Sequence, residues 1–290
     1  MMMASHKKLQ QRIEWILKLN VKTPLGIGGS RENSGNIAEN HEEETKNGWV
    51  PLKTANKEWF IIPGASLRGV LSSHIYKTLR ILLEVNKLTE QDDCLKNQYE
   101  LSIDKIVNGL FGYVSKEDSK ENYSGSKKVA YKGNLWIGDV KIKSENSCLK
   151  LITPIDRISH KALPITLETI KPDTSFEIKM VIENSTALQL ALLSIIFRDL
   201  EKEQIAMGLG TSRGMGIVQL KDISASIMMI GKSKEFITAD GISLPLSSEW
   251  IKNNDFDLGI NRYKLQGSAH LRTWLQKTIP SLKEWKENHS

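Results

Sequence analysis

Apolar and polar residues alternate strictly near the start of the chain. The apolar side of this pattern consists of Ile13, Trp15, Leu17, Leu19 and Val21. The polar side includes Glu14, Lys18 and Asn20. A period of two turns one face of a strand toward the core and the other toward solvent. The pattern therefore predicts a half-buried strand over 13–21.

Two other apolar patterns have the period of a helix. After Pro63-Gly64, apolar residues recur at helical spacing in the order Leu67, Val70, Leu71, Ile75, Leu79 and Leu82. A second apolar run covers 187–197, and Asn184-Ser185-Thr186 before it supplies residues that cap helices. Further strands are predicted at about 59–62, 133–142, 148–158, 176–182 and 216–226.

Polar segments separate these elements. Residues 26–57 are rich in Gly, Asn, Ser and Glu, which predicts a long loop of the kind that often carries function. Residues 88–128 form a mixed polar insertion with a helix predicted near 99–111. Without insertions, the order is strand, helix, strand, strand, helix, strand. This order predicts an α+β protein with a ferredoxin-like (RRM-like) βαββαβ core.

The length of 290 residues allows one large domain or two small ones. We predict a core domain with large insertions over 1–230 and a C-terminal extension over 231–290. The extension is expected to pack on the core or on a neighbouring subunit, and a helix is predicted in it around 271–275.

Charge and cysteine content narrow the possible partners. The net charge of +6 favours a polyanionic partner without requiring one. Cys94 and Cys148 lie far apart and lack metal-ligand spacing, which fits a reducing cytoplasm. The first residues lack the apolar core of a signal peptide, and no run is long enough to span a membrane. We therefore expect a cytoplasmic protein with no membrane partner.

A glycine-rich segment joins the second apolar helix to the last core strand. Residues 208–216 read Gly-Leu-Gly-Thr-Ser-Arg-Gly-Met-Gly. Glycine permits positive φ values and the close approach of another backbone. Backbone N–H groups, the two hydroxyls and the guanidinium of Arg213 can all donate to a phosphate. By itself, the segment is also explained as a tight turn between a helix and a strand.

Several other short motifs agree with a function for this loop. Ile-Ile-Pro-Gly-Ala-Ser-Leu-Arg-Gly occupies 61–69, and Thr-Pro-Leu-Gly-Ile-Gly-Gly-Ser occupies 23–30. Three further motifs are Leu-Phe-Gly at 110–112, Asn-Leu-Trp-Ile-Gly-Asp at 134–139 and Pro-Ile-Asp-Arg-Ile at 154–158. In this order along the chain, over about 13–225, they resemble the RAMP superfamily of RNA-binding CRISPR-associated proteins. More specifically, they are similar to the backbone subunit of type III effector complexes.

The resemblance implies a crRNA-binding backbone or assembly subunit of a ribonucleoprotein complex in antiviral defence. Its expected partners are crRNA, target RNA, other RAMP subunits and the large subunit. The start of the first helix and the glycine loop are expected to lie at one edge of the sheet and to form one groove for the sugar-phosphate chain. The expected RNA-binding residues are Gly28, Gly29, Ser66, Arg68, Arg157, Gly210, Thr211, Ser212, Arg213 and Gly214.

The resemblance also bears on Gly69 and on the segment 153–164. Gly69 lies inside the predicted helix, where glycine is less stable than alanine. A close approach by the glycine loop or by RNA would explain why a glycine is present there. Residues 153–164 resemble the family's thumb hairpin, which folds over the guide–target duplex. Ile158 or Leu163 would supply its apolar wedge, and Arg157 would stack on a base or pair with a phosphate. The alternative is an ordinary hairpin in which Asp156 pairs with Arg157.

The chain departs from the family at the catalytic position. Target cutting in the family depends on an aspartate in the loop before the first helix, yet no aspartate precedes Asp92. The loop instead offers Glu32, Glu39 and the run His-Glu-Glu-Glu at 41–44. Glu39 is the nominal candidate for a catalytic residue, although a glutamate is longer and catalysis is sensitive to placement.

Three functions therefore remain open from the sequence. The first is an RNA-binding scaffold, which needs no cofactor. The second is an endoribonuclease that cuts guide-bound target RNA with an acidic residue of the 32–44 loop and Mg²⁺ or another divalent cation. The third is a guide-processing endonuclease with His41 or His74 as general base. His74 has the spacing of the first helix's apolar face, which favours a core role for it.

Overall fold

The computed structural model describes residues 9–28, 53–54, 56–85, 93–116, 128–153, 155, 165–230, 235–253 and 260–289. The strands are β1 (Gln11–Val21), β2 (Trp59–Ile62), β3 (Gly112–Lys116), β4 (Lys128–Lys132), β5 (Leu135–Ile137), β6 (Val140–Lys143), β7 (Ser147–Ile152), β8 (Ile165–Ile170), β9 (Ser175–Glu183), β10 (Val218–Ile230), β11 (Glu235–Ile237), β12 (Ser243–Pro245), β13 (Ile251–Asn253) and β14 (Ile260–Gln266). The helices are α1 (Gly64–Leu82), α2 (Asp93–Phe111), α3 (Ala187–Glu201), α4 (Ser268–Gln276) and α5 (Ile279–Glu287).

A six-stranded sheet forms the centre of the fold. Its strand order is β13-β14-β10-β1-β9-β5, and every neighbouring pair is antiparallel. β1 alternates as its sequence predicts: odd-numbered residues from Gln11 to Val21 are buried, and the residues between them are more exposed. The fully buried Trp15 meets Phe197 of α3 edge to face, with ring centroids 5.8 Å apart. The predicted α+β class is confirmed.

α3 begins at the residues that the sequence predicts for its cap. Thr186 accepts a hydrogen bond from the backbone N–H of Gln189, and the Gln189 side chain accepts one from the N–H of Thr186. This reciprocal arrangement satisfies two donors that a helix start otherwise leaves unpaired. Because α3 is buried along most of its length, the cap fixes where the central helix meets the sheet.

His74 of α1 takes part in a polar contact between helices. Its Nε2 lies 2.8 Å from Oδ2 of Asp199 on α3, and Arg198 also bonds to that carboxylate. Burial tends to raise the pKa of Asp199, but the hydrogen bonds and charges of Arg198 and His74 outweigh burial and lower the pKa. His74 thus joins two core helices, as its spacing in the sequence favoured.

The chain after residue 230 continues the same fold. β14 pairs with β10 in the main sheet, and α4 and α5 pack against α3. Trp274 contacts Phe236 and Trp250 edge to face at 5.4 Å, and all three rings belong to the common hydrophobic core. The extension therefore packs on the core, which is one of the two positions expected for it.

The region predicted as one strand over 133–142 is two strands instead. β5 ends at Ile137, and β6 leaves the main sheet to pair with β2. The break lies at Gly138-Asp139, where the N–H of Gly138 donates to the carbonyl of Lys179. β3 and β4 form a separate hairpin beside this break, and β7 and β8 form another.

Among the described residues, no helix is long and apolar enough to cross a membrane.

Candidate nucleic-acid interface

The glycine loop is a hydrogen-bonded turn with an exposed tip. Gly208, Gly210, Gly214 and Gly216 all have positive φ values, between 74° and 83°. Gly210 and Gly214 flank a single 3-10 turn over Thr211–Arg213. The side chains of that turn are exposed, so two hydroxyls and one guanidinium face solvent together. This set of donors suits the oxygens of a phosphate.

Buried methionines and backbone bonds hold the loop in place. Met207 and Met215 are almost fully buried on either side of the tip. The N–H of Met207 donates to the carbonyl of Gly216, and the N–H of Met215 donates to the carbonyl of Gly210. A Cβ on Gly216 would lie 1.9 Å from the carbonyl oxygen of Met207. The loop therefore has this shape only with glycine at that position.

The first glycine segment packs against the second. The N–H of Leu209 donates to the carbonyl of Gly26 at 2.8 Å, and the N–H of Gly216 donates to the carbonyl of Pro24 at 3.0 Å. Gly28 is exposed, and Leu209 lies beside it. The structure thus brings two predicted RNA-binding segments, 23–28 and 208–214, into one continuous surface at the carboxyl end of β1.

The start of α1 differs from the open anion site that the sequence suggested. The N–H of Gly64 donates to Oδ1 of Asp139 at 2.7 Å. A carboxylate of the chain itself therefore occupies the positive end of the helix, which stabilises the helix and competes with a phosphate there. Ser66 and Arg68 nevertheless remain exposed in the first turns. Sequence reasoning missed the role of Asp139, because 75 residues separate it from Gly64.

Arg68 and Arg213 do not form the single groove that was expected. Arg68 reaches the carbonyl of Gly112 and lines a cavity together with Arg12, at the amino end of β1. The glycine loop bonds to Pro24 and Gly26, beyond the carboxyl end of the same strand. At about 3.3 Å per residue, these two ends of β1 are about 30 Å apart. The sheet order was compatible with one groove, but the length of β1 separates the two arginines.

Gly69 has a simpler environment than expected. A Cβ on Gly69 would meet nothing within 4 Å, so neither the glycine loop nor any other described segment approaches it closely. The first of the two proposed explanations for this glycine is therefore wrong. An RNA contact with the exposed helix surface remains a prediction.

Some predicted site residues lie outside the described part of the chain: Glu39 with the rest of the 32–44 loop, Gly29, Arg157, Ile158 and Leu163. Their roles stay predictions. Among the residues that the structure describes, no group of His, Cys, Asp and Glu is arranged to hold a metal ion.

Comparison with known families identifies the class of the protein. The sequence model of the RAMP superfamily matches residues 18–219, more than half of the chain. The chain therefore belongs to the RAMP superfamily, as its motifs indicated.

Comparison with solved structures finds a chain in a cryo-EM structure of the Type III-B Cmr-beta bound to cognate target RNA. That chain is 14% identical in sequence, with a TM-score of 0.44. The match covers 74% of this chain and 61% of that chain, so it spans less than two thirds of the neighbour's length. None of the curated proteins matches this chain.

Proposed function

We propose that this RAMP protein is a subunit of a type III CRISPR effector complex and holds its guide RNA in the cytoplasm. The exposed tip of the glycine loop carries the proposal, because buried neighbours and backbone hydrogen bonds hold the main chain that presents its hydroxyls and guanidinium to solvent. A main chain that is already ordered loses little entropy on binding, and the N–H, hydroxyl and guanidinium donors that it presents suit a polyanion. Target RNA and the other subunits of the complex are its further partners.

The chemistry of the loop fits sequence-independent binding of RNA. Hydroxyl, guanidinium and backbone groups contact phosphate and sugar, which carry no base information. In an RNA-guided complex, base pairing between guide and target recognises the sequence, while the protein binds the sugar-phosphate backbone of the RNA. The order of motifs along the chain favours the type III class within the superfamily.

We also interpret the four strands β10-β1-β9-β5, together with α1 and α3, as the ferredoxin-like core. Their chain order and antiparallel pairing are those of a split βαβ arrangement. In this interpretation, the glycine loop is the connection from the second core helix to the last core strand. A connection at the end of a rigid sheet is a stable place for a binding site.

Arg213→Ala tests this function. The variant should bind single-stranded RNA about tenfold more weakly, because it lacks one charge-assisted hydrogen bond to phosphate. The weakening should be similar for unrelated sequences. The slope of log affinity against log salt should become shallower by about 0.7 for each phosphate that the variant no longer neutralises. Fluorescence anisotropy with labelled RNA at several salt concentrations measures both quantities.

Lys283→Ala is the matched control. Lys283 is an exposed cation on α5, outside the glycine loop, and its removal changes the net charge by the same amount. Its RNA affinity should stay close to that of the wild type. If the two variants lose affinity equally, general charge rather than the loop binds RNA, and the proposed function fails.

A further inference from the structure

A cavity of about 670 Å³ lies at the edge of the main sheet, distant from the glycine loop. One wall is the solvent-facing side of β1, β9 and β5, with Arg12, Val181 and Trp136. The opposite wall is the β3–β4 hairpin, with Tyr113 and Tyr131. Its volume lies within the range of small-molecule sites in proteins. The first strand of the hairpin lies in the insertion predicted over 88–128, and neither strand belongs to the main sheet.

Three aromatic rings line this cavity. Tyr113 and Tyr131 face each other across the hairpin and stack, with centroids 4.7 Å apart and an interplanar angle of 15°. Tyr131 is 44% exposed and Trp136 is 55% exposed. The ring of Trp136 lies over Gly138, where a Cβ would approach its Cη2 within 3.1 Å. Three aromatic side chains thus line one cavity, and two of them, Tyr131 and Trp136, are exposed.

Cations complete the lining. Arg12, Arg68 and Lys132 lie around the rings, and Glu183 is the one carboxylate among the lining residues that the structure describes. Arg12 and Lys132 approach Glu183 at 3.6 and 3.9 Å. Arg68 contacts the carbonyl of Gly112 at 3.4 Å, longer than the usual N–H···O distance of about 2.7 to 3.2 Å. Three cations against one carboxylate leave a positive cavity, which suits an anionic ligand that has a flat apolar part.

We propose that this cavity accepts one unpaired base of the bound RNA, which stacks on Trp136 or on the Tyr131 face, while Arg12, Arg68 and Lys132 bind its flanking phosphates. Every base has a π face, so stacking holds RNA without choosing its sequence. The cavity lies about 30 Å along β1 from the glycine loop, so the RNA follows the length of the sheet between two sites. This inference rests on the proposed function, because it requires that the protein bind RNA.

Two RNA probes separate base binding from backbone binding. One is a short oligouridine, and the other has the same length and backbone but carries no bases. The wild-type protein should prefer oligouridine, because only this probe can stack. Trp136→Ala should weaken binding of oligouridine roughly 5- to 100-fold and leave the base-free probe unchanged. Tyr131→Ala should have the same selective effect.

Two further variants make the outcome specific. Ile251→Ala removes an apolar side chain that is 72% exposed, against 55% for Trp136, from the opposite edge strand of the same sheet and should change neither affinity. Arg213→Ala should weaken both probes by the same factor, since its contact is to the backbone. If Trp136→Ala weakens neither probe, or both equally, the base site is overturned while the role of the glycine loop stands. If the wild type binds neither probe, the proposed function is wrong and the base site falls with it.

Discussion

Gly216→Ala should lower the free energy of unfolding by about 3 to 5 kcal/mol. The new Cβ would lie 1.9 Å from the carbonyl oxygen of Met207, and the φ value of 78° is unfavourable for alanine. Both costs arise at the bond that anchors the loop, in which Met207 donates to the carbonyl of Gly216. Urea denaturation followed by circular dichroism measures the change.

Gly214→Ala is the control for this substitution. Its φ value is 75°, but a Cβ there would meet nothing within 4 Å. Only the backbone cost remains, which is about 1 to 2 kcal/mol. If the two variants prove equally stable, the tight contact between Gly216 and Met207 does not exist, and the loop is not anchored as described.

Gly64→Ala should destabilise the protein by about 2 to 5 kcal/mol and weaken RNA binding. A Cβ on Gly64 would lie 2.2 Å from the carbonyl oxygen of Ile137, so the start of α1 would have to move away from β5. That movement would break the bond from Gly64 to Asp139 and displace Ser66 and Arg68. Urea denaturation and RNA anisotropy report the two effects.

Gly69→Ala provides the opposite expectation within the same helix. Its Cβ has open space around it, and alanine is the better helix former, so stability should rise by about 0.5 to 1 kcal/mol. A destabilised Gly69→Ala, or a Gly64→Ala as stable as the wild type, would contradict the described packing of α1 on β5.

The elements that the sequence predicts well are those whose signals are local. The alternation over 13–21 belongs to β1 alone, and the Thr186 cap lies three residues from its partner, Gln189. Such patterns need no knowledge of the rest of the chain. The two glycine segments could likewise be recognised from their residues, because positive φ values are common only for glycine.

The positions of the site residues depended on distant parts of the chain. Arg68 contacts Gly112, 44 residues away, at the start of a hairpin whose first strand lies in the predicted polar insertion. Asp139 binds the start of α1 at the point where the predicted strand over 133–142 breaks. No local pattern reports either contact, so the expectation of one groove placed Arg68 at the wrong end of β1. The Tyr113–Tyr131 pair was missed for the same reason.

Hydrogen–deuterium exchange with and without single-stranded RNA is the most direct test of the central claim that the glycine loop holds RNA. The amides of 208–214 should exchange more slowly when RNA is bound, because the tip is exposed in the free protein. The amides of α5 should exchange at the same rate in both states. Unchanged exchange over 208–214 in a sample in which RNA is fully bound would contradict the account.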